Sequence, residues 1–184
     1  MKYKKINQKE YCCVPACLQM VLHRNNLKCK SQEDIGYELG LIVPSDDRKL
    51  FKKVRVGDKP HSGYGTQVNN EKYSINNFFI RNNFPLIEEY HYIIDYKRVE
   101  RFLKENVRAD ILVCFHCGTL YGNEYEDWGH VCVIDSLCND EIILVDPDLR
   151  EGYKVIKLNK LIEAIKKHGE NNRAGFWLIK NNLL

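Results

Sequence analysis

A cysteine placed where a helix begins is chemically poised. The helix dipole and the unpaired N–H groups of the first turn favour its thiolate, the form that attacks a carbonyl carbon. The run Gln8-Lys9-Glu10-Tyr11-Cys12-Cys13-Val14-Pro15-Ala16-Cys17-Leu18 places three cysteines at such a point. Pro15 suits a first turn, where a missing N–H costs nothing, and Leu18, Val21 and Leu22 follow at helical spacing. Together they predict a helix from Val14 to about Asn25. Cys12 then lies outside the helix and Cys17 about one turn inside, where it packs. Cys13 lies at the junction. Its own N–H can help to bind an oxyanion, and Gln8 upstream can add a side-chain N–H donor. The competing reading is a set of core cysteines at a helix start, and one cysteine at a helix terminus does not decide between the two.

The second group of reactive residues comes late in the chain. His130 lies in Trp128-Gly129-His130-Val131-Cys132-Val133-Ile134, and Asp146 in Ile142-Ile143-Leu144-Val145-Asp146-Pro147-Asp148. Between them Ser136-Leu137-Cys138-Asn139-Asp140 reads as a turn. A hairpin centred on Cys138 sets His130 opposite Asp146, Cys132 opposite Leu144 and Ile134 opposite Ile142. Opposed residues have Cβ atoms about 5 Å apart. A carboxylate at that range can orient an imidazole and stabilise its charged form. Against this register, Asp135 and Glu141 would also face each other. Taken alone, His130 reads as a satisfied core histidine and Asp146 as a turn residue before Pro147. The independent nucleophile motif is what joins them into a Cys13–His130–Asp146 triad.

The elements that must position these residues are legible as periodicity. Ser31 to Leu39 reads as a second helix with Ser31 and Asp34 at its cap. Val43 to Gln67 is polar and glycine-bearing and reads mostly as loop, with a turn of helix near Lys49. Ser74 to Asn83 reads as helix and Leu86 to Ile93 as strand. Asp95 can cap a helix to about Asn106 whose inner face is Val99, Phe102 and Leu103, with Val107 a further candidate. Ile111–Phe115, Val131–Asp135, Ile142–Val145, Tyr153–Ile156 and Ala174–Ile179 read as strands, and Leu158–His168 as a helix. This order predicts an α+β domain with a mostly antiparallel sheet.

The bulk numbers agree with one such domain over residues 1–184. The chain is 44% hydrophobic, enough for a sizeable core. Its 28 basic residues nearly match its 25 acidic ones, which argues against a nucleic-acid partner. No run of apolar residues is long enough to span a membrane, and the basic start Met1-Lys2-Tyr3-Lys4-Lys5-Ile6 leads into no signal-type apolar core. A soluble, cytoplasmic protein is expected. The eight cysteines sit largely within apolar runs and are expected to be reduced thiols.

With these residues in view, the chain resembles the papain-like cysteine peptidases, in particular the compact bacterial branch similar to the bacteriocin-leader (double-glycine) processing peptidases. That branch places a glutamine shortly before a Cys-Gly-x-Ala-Cys-Leu-like helix start, then a Gly-His leading into an apolar strand, then an Asp-Pro. The matches are Gln8, Cys13, Ala16, Cys17 and Leu18, then Gly129-His130, then Asp146-Pro147. The resemblance spans most of the chain in order and spacing. It implies a papain-like fold with N-terminal helices on the sheet, Cys13 as nucleophile, His130 as general base and acid, Asp146 as the orienting acid, and Gln8 in the oxyanion hole. Val14 stands where glycine is usual and can narrow the cleft or alter the backbone, and Cys12 stands where aspartate is frequent. Leader peptidases of this kind are usually fused to a transporter. This chain shows neither membrane span nor P-loop, so export of a bacteriocin does not follow.

Thiol-dependent hydrolysis of a peptide or protein substrate is therefore the expected activity, without a cofactor or metal. The same triad supports deamidation or acyl transfer, because it does not fix the acceptor. A reading from another class is a zinc-binding or interaction module built on Cys114-Phe115-His116-Cys117, although no second cysteine pair stands at zinc-finger spacing. The loop His61-Ser62-Gly63-Tyr64-Gly65 reads as a solvent loop or a cleft flank, and Trp128 as a packed strand-start aromatic or a cleft wall.

Overall fold

In the computed structural model, which describes residues 2–61, 63–148 and 152–182, the helix behind the cysteine cluster runs over Cys13–Arg24 (α1). Its Val14, Cys17, Leu18, Val21 and Leu22 are buried. Ser31 caps α2 (Gln32–Glu38), its hydroxyl accepting from the Asp34 N–H. Two short strands, β1 (Ile42–Val43) and β2 (Arg55–Val56), pair in parallel around a turn of 3-10 helix at Ser45–Leu50. Two residues per strand are too few for alternation to reveal. Ser74 caps α3 (Ile75–Arg81), which leads into β3 (Leu86–His91). Asp95 caps α4 (Tyr96–Glu105) by accepting from the Arg98 N–H. Val99, Phe102 and Leu103 form its inner face as expected, while Val107 lies beyond it and is exposed.

The second half of the chain is β4 (Asp110–His116), α5 (Cys117–Tyr121), β5 (Gly129–Cys138), β6 (Glu141–Val145), β7 (Tyr153–Lys157), α6 (Leu158–His168) and β8 (Gly175–Asn181). Six strands form one sheet in the order β3-β8-β4-β5-β6-β7, every neighbouring pair antiparallel. Side chains alternate across it and both faces are covered. Leu112, Cys114, Val131, Val133, Val145, Trp177 and Ile179 meet the inner faces of α1 and α3. Ile111, Val113, Phe115, Cys132, Leu144, Phe176 and Leu178 meet α4 and α6. Burial on both faces is why these strands read as continuous apolar runs rather than alternating ones.

Two devices fix α1 against the sheet. At its C-terminal end the Arg24 guanidinium pairs with the Asp110 carboxylate of β4, which also accepts from Asn25 Nδ2 at 2.8 Å and from the Tyr3 hydroxyl. On its N-terminal side the segment leading into it lies along the sheet. The Lys2 N–H donates to Asp135, the Tyr153 hydroxyl donates to the Tyr3 carbonyl at 2.8 Å, and the Gln8 N–H donates to the Pro147 carbonyl at 3.0 Å. The last of these ties the segment before Cys13 to the turn after Asp146.

Candidate active site

The approach to α1 is a tight turn, closed by the Cys12 N–H donating to the Lys9 carbonyl at 3.0 Å. Tyr11 within it adopts a left-handed conformation (φ 59°), uncommon for a bulky residue. Cys12 is the N-cap and offers no side-chain bond to the helix. Intrahelical pairing begins at Ala16, whose N–H donates to the Cys12 carbonyl at 2.9 Å. Pro15 has no N–H to spare, so the groups left at the helix end belong to Cys13 and Val14. Cys13 is half-buried, whereas Cys12 and Cys17 are fully buried. Burial pushes the Cys12 thiol up to about 12 and the Cys17 thiol well above its ordinary value. Cys17 Sγ instead lies 3.3 Å from the Val131 carbonyl, within the core. Val14 is buried in that core too, so its β-branch does not stand in a cleft.

His130 and Asp146 meet, but not in the register expected from the sequence. The hairpin turns on Asn139 and Asp140, with Cys138 paired to Glu141 and Asn139 in a left-handed conformation (φ 56°), rather than being centred on Cys138. From Cys138 back to Ser136 the pairing would carry Asp146 to the wrong face of the sheet. A β-bulge between Ile134 and Ser136 takes out one residue and restores the face, so that Ile134 pairs with Leu144 and Val133 with Val145. Continued one step past the last pair, this register brings Asp146 level with Cys132, with His130 diagonal to it on the same face. The two side chains span that diagonal: His130 Nε2 lies 2.9 Å from Asp146 Oδ1. The bulged residue, Asp135, is the one that accepts from the Lys2 N–H.

The pair is buried and closely held. Asp146 is 0% exposed and His130 is 4% exposed. Asp146 Oδ1 also accepts from the Asp148 N–H at 2.8 Å, and Oδ2 accepts from the Tyr121 hydroxyl. Desolvation works to raise the Asp146 pKa, but the hydrogen bond and charge of His130, the Tyr121 hydroxyl and the Asp148 N–H hold it well below the carboxylate range. For His130, desolvation opposes the imidazolium, while the Cys132 sulfur, the hydrogen bond with Asp146 and the Cys13 sulfur favour it; the net direction is well above the ordinary value. Burial pushes the Cys132 thiol up to about 12, so it is uncharged at neutral pH, and Asp146 is the anion that supports the imidazolium. The Phe115 ring stands edge-on to the imidazole at 5.8 Å, from the β4 position paired with His130. Gly129 admits His168 against the strand start: a Cβ there would lie 2.3 Å from His168 Nε2.

Sequence reasoning missed Tyr121. It sits on α5, whose five residues are too few for a helical period. The signals present were its ends. His116 caps it, Nδ1 accepting from the Thr119 N–H at 3.0 Å, and Gly122 closes it in a left-handed conformation (φ 73°). The hydroxyl of Tyr121 caps the outer oxygen of Asp146, and Lys154 Nζ lies 4.5 Å from its ring centroid. Tyr121→Phe is expected to lower kcat/KM for an amide substrate about 10–100-fold, through kcat and not KM, because a hydrogen bond to a charged group contributes about 1.5–3 kcal/mol. An unchanged kcat removes Tyr121 from the account.

Other residues singled out in the sequence fall differently. Gln8 lies beside the Asp146 turn through its backbone bond to Pro147, and its side-chain oxygen is buried with no hydrogen-bond partner among the described residues. The Cys114–Cys117 run is not drawn together. Cys114 enters the core, His116 caps α5 and meets Asp127 Oδ1 at 2.8 Å through Nε2, and Cys117 Sγ lies 3.1 Å from Glu126 Oε2. Among the described residues, the group of three metal-type donors that does converge is His130, Cys132 and Asp146. Ser62 lies outside the described residues, but its neighbours do not form a free solvent loop. Tyr64 packs edge-on to Tyr11 at 6.2 Å, and Gly65 exchanges backbone hydrogen bonds with Ile42. Trp128 is 53% exposed and thus not packed at the strand start.

No protein-family model matches the chain, and no curated protein matches it in sequence. Solved structures do match in fold. A Bacillus anthracis protein assigned as a C39-like peptidase superposes with a TM-score of 0.61 at 13% identity, covering 96% of this chain and 94% of its own. A double-glycine motif protease from an AMS/PCAT transporter, solved with its leader peptide, superposes with a TM-score of 0.52 at 18% identity, covering 96% and 89%. The α+β architecture, with N-terminal helices on a mostly antiparallel sheet, is that of the papain-like C39 peptidases.

Proposed function

We propose that this chain is a papain-like thiol hydrolase that cleaves a peptide or amide bond through an acyl-enzyme. The observation that carries the reading is a buried imidazole hydrogen-bonded with the buried Asp146 carboxylate, beside a half-buried Cys13 at a helix start. With Nε2 held by Asp146, Nδ1 serves Cys13. The Cys13 sulfur attacks the substrate carbonyl carbon, and the C–N bond breaks as His130 delivers its proton to the leaving amine. The Cys13 N–H, left without an intrahelical acceptor, and the Gln8 side-chain N–H receive the oxyanion. Water, deprotonated by His130, then releases the acyl group as a carboxylic acid. Asp146 keeps the ring oriented and its charged form supported throughout.

A peptide substrate fits the shape of the comparison, since the transporter protease was solved with a leader peptide. The test is a peptide-library digest combined with intact-mass trapping of the acyl-enzyme. Mass added at Cys13 in one-to-one ratio, released by water as acid, is the expected result. Products formed on an amine acceptor would move the reading to acyl transfer.

A further inference from the structure

The proposed hydrolysis uses His130 and Asp146 but has no task for Cys132. That thiol is 0% exposed, lies one step beyond the last β5–β6 ladder pair, Val133 with Val145, on the side toward Asp146, and shares the face of His130. One donor atom each from His130, Cys132 and Asp146 lie within 4.8 Å of one another. Thiolate, imidazole and carboxylate together are the donor set of zinc sites, with metal–sulfur bonds of about 2.3 Å and metal–nitrogen or metal–oxygen bonds of about 2.0–2.2 Å. Bonds of that length put tetrahedral ligand atoms about 3.3–3.8 Å apart. Donors already gathered to this degree need only rotamer adjustment to close on an ion.

We propose that His130, Cys132 and Asp146 form a binding site for a zinc-class divalent cation. As the ion seats, it displaces the proton shared between His130 and Asp146 and the proton of the Cys132 thiol, and both pass to water, leaving His130 neutral with its proton on Nδ1. The ligands then carry two negative charges, which neutralise the ion in a buried place where an unpaired charge is costly. The Tyr121 hydroxyl, 3.8 Å from Cys132 Sγ and donating to Asp146 Oδ2, borders the fourth position, which water or this hydroxyl fills. An imidazole pinned to metal no longer moves a proton for Cys13, so the bound ion switches off turnover. The ion site stands on geometry alone; its effect on turnover rests on the hydrolase reading.

Cys13 itself could hold zinc with His130, so the test removes it. Cys13→Ala protein is titrated with zinc chloride against a fluorescent chelator, and with cobalt(II) followed by absorption. The expected result is one ion per chain, with a near-ultraviolet sulfur-to-cobalt charge-transfer band. Adding Cys132→Ser should remove the band and lower zinc affinity by about a hundredfold or more, since even a residue that merely hydrogen-bonds a ligand is worth about 10–100-fold. No binding by the Cys132-containing protein, or a band and affinity unchanged by Cys132→Ser, overturns the proposal. If Cys132→Ser does not fold, Asp146→Asn takes its place: retained affinity overturns the site, and affinity lowered to the same degree supports it. None of these readouts needs Cys13 chemistry. Failure of the hydrolase reading would show separately, as metal-free wild-type protein that does not form an acyl-enzyme.

Discussion

Cys13→Ala is expected to abolish acyl-enzyme formation and peptide cleavage, lowering turnover by roughly 10⁶-fold, the scale for removing a nucleophile that acts as one unit with its base. Cys12→Ala and Cys17→Ala should leave labelling at Cys13 intact. The distinction is physical. Cys12 and Cys17 are buried, and burial holds their thiols protonated at neutral pH, whereas Cys13 is half-exposed at the helix end. The three variants also separate in stability. Cys17→Ala removes a buried sulfur and its 3.3 Å contact with the Val131 carbonyl, which should cost about 1–3 kcal/mol. Cys13→Ala removes a half-buried one and should melt close to wild type. Labelling and intact-mass mapping with an acyl probe, alongside thermal melts, check both halves. Full-rate labelling in the Cys13→Ala protein ends the nucleophile assignment.

The helix start at Cys13 was legible because its signals are local. Pro15 in a first turn and Leu18, Val21 and Leu22 at helical spacing determine where α1 begins, and that places Cys13 at its start. Caps at Ser31, Ser74 and Asp95 are local signals too. The His130–Asp146 pairing was legible only in part. A hairpin's face assignment depends on register parity, and an error of two residues leaves parity intact. The sequence register was wrong by two where it mattered, so His130, Cys132 and Asp146 were still placed on one face, but His130 was given the partner that belongs to Cys132. What the sequence did not display was the bulge at Asp135, whose carboxylate accepts a bond from the Lys2 backbone far away in sequence. Tyr121 was hidden for the same kind of reason. Its task is defined by a contact with Asp146, and α5 is too short to announce itself.

These long-range ties also explain how a small helix end and a hairpin can be held in mutual reach. The N-terminal segment touches Asp135 at the bulge and Pro147 just beyond Asp146 before it turns into α1. The feature that sets the face of Asp146 and the segment that delivers Cys13 are therefore parts of one hydrogen-bonded connection. Bulges recur beside active sites where a side chain has to be re-aimed, and the β5 bulge has that effect on Asp146.

His130→Ala is expected to slow acylation by about 10²–10⁴-fold, the usual contribution of a positioned acid–base group. It should also destabilise the protein by about 3–5 kcal/mol, because Asp146 is left as a buried charge without its partner. Asp146→Asn separates the two effects. It removes the charge, retains much of the shape, and should add little further rate loss to His130→Ala while recovering part of its stability. A group acting through the same imidazole cannot be counted twice. The single Asp146→Asn variant makes a signed prediction in pH. In the wild type the His130 pKa is raised, so the imidazolium that the proposed mechanism uses to protonate the leaving amine survives to higher pH than a free histidine would. Without the Asp146 charge that pKa falls, and the alkaline limb of kcat/KM for an amide substrate must move to lower pH. A limb that stays in place, or moves upward, would show that Asp146 does not act through the charge of His130. Melts of the three proteins and one pH profile decide among these outcomes. The most informative comparison is the double variant against His130→Ala, because a purely structural pair would restore stability while leaving acylation no slower than in the wild type.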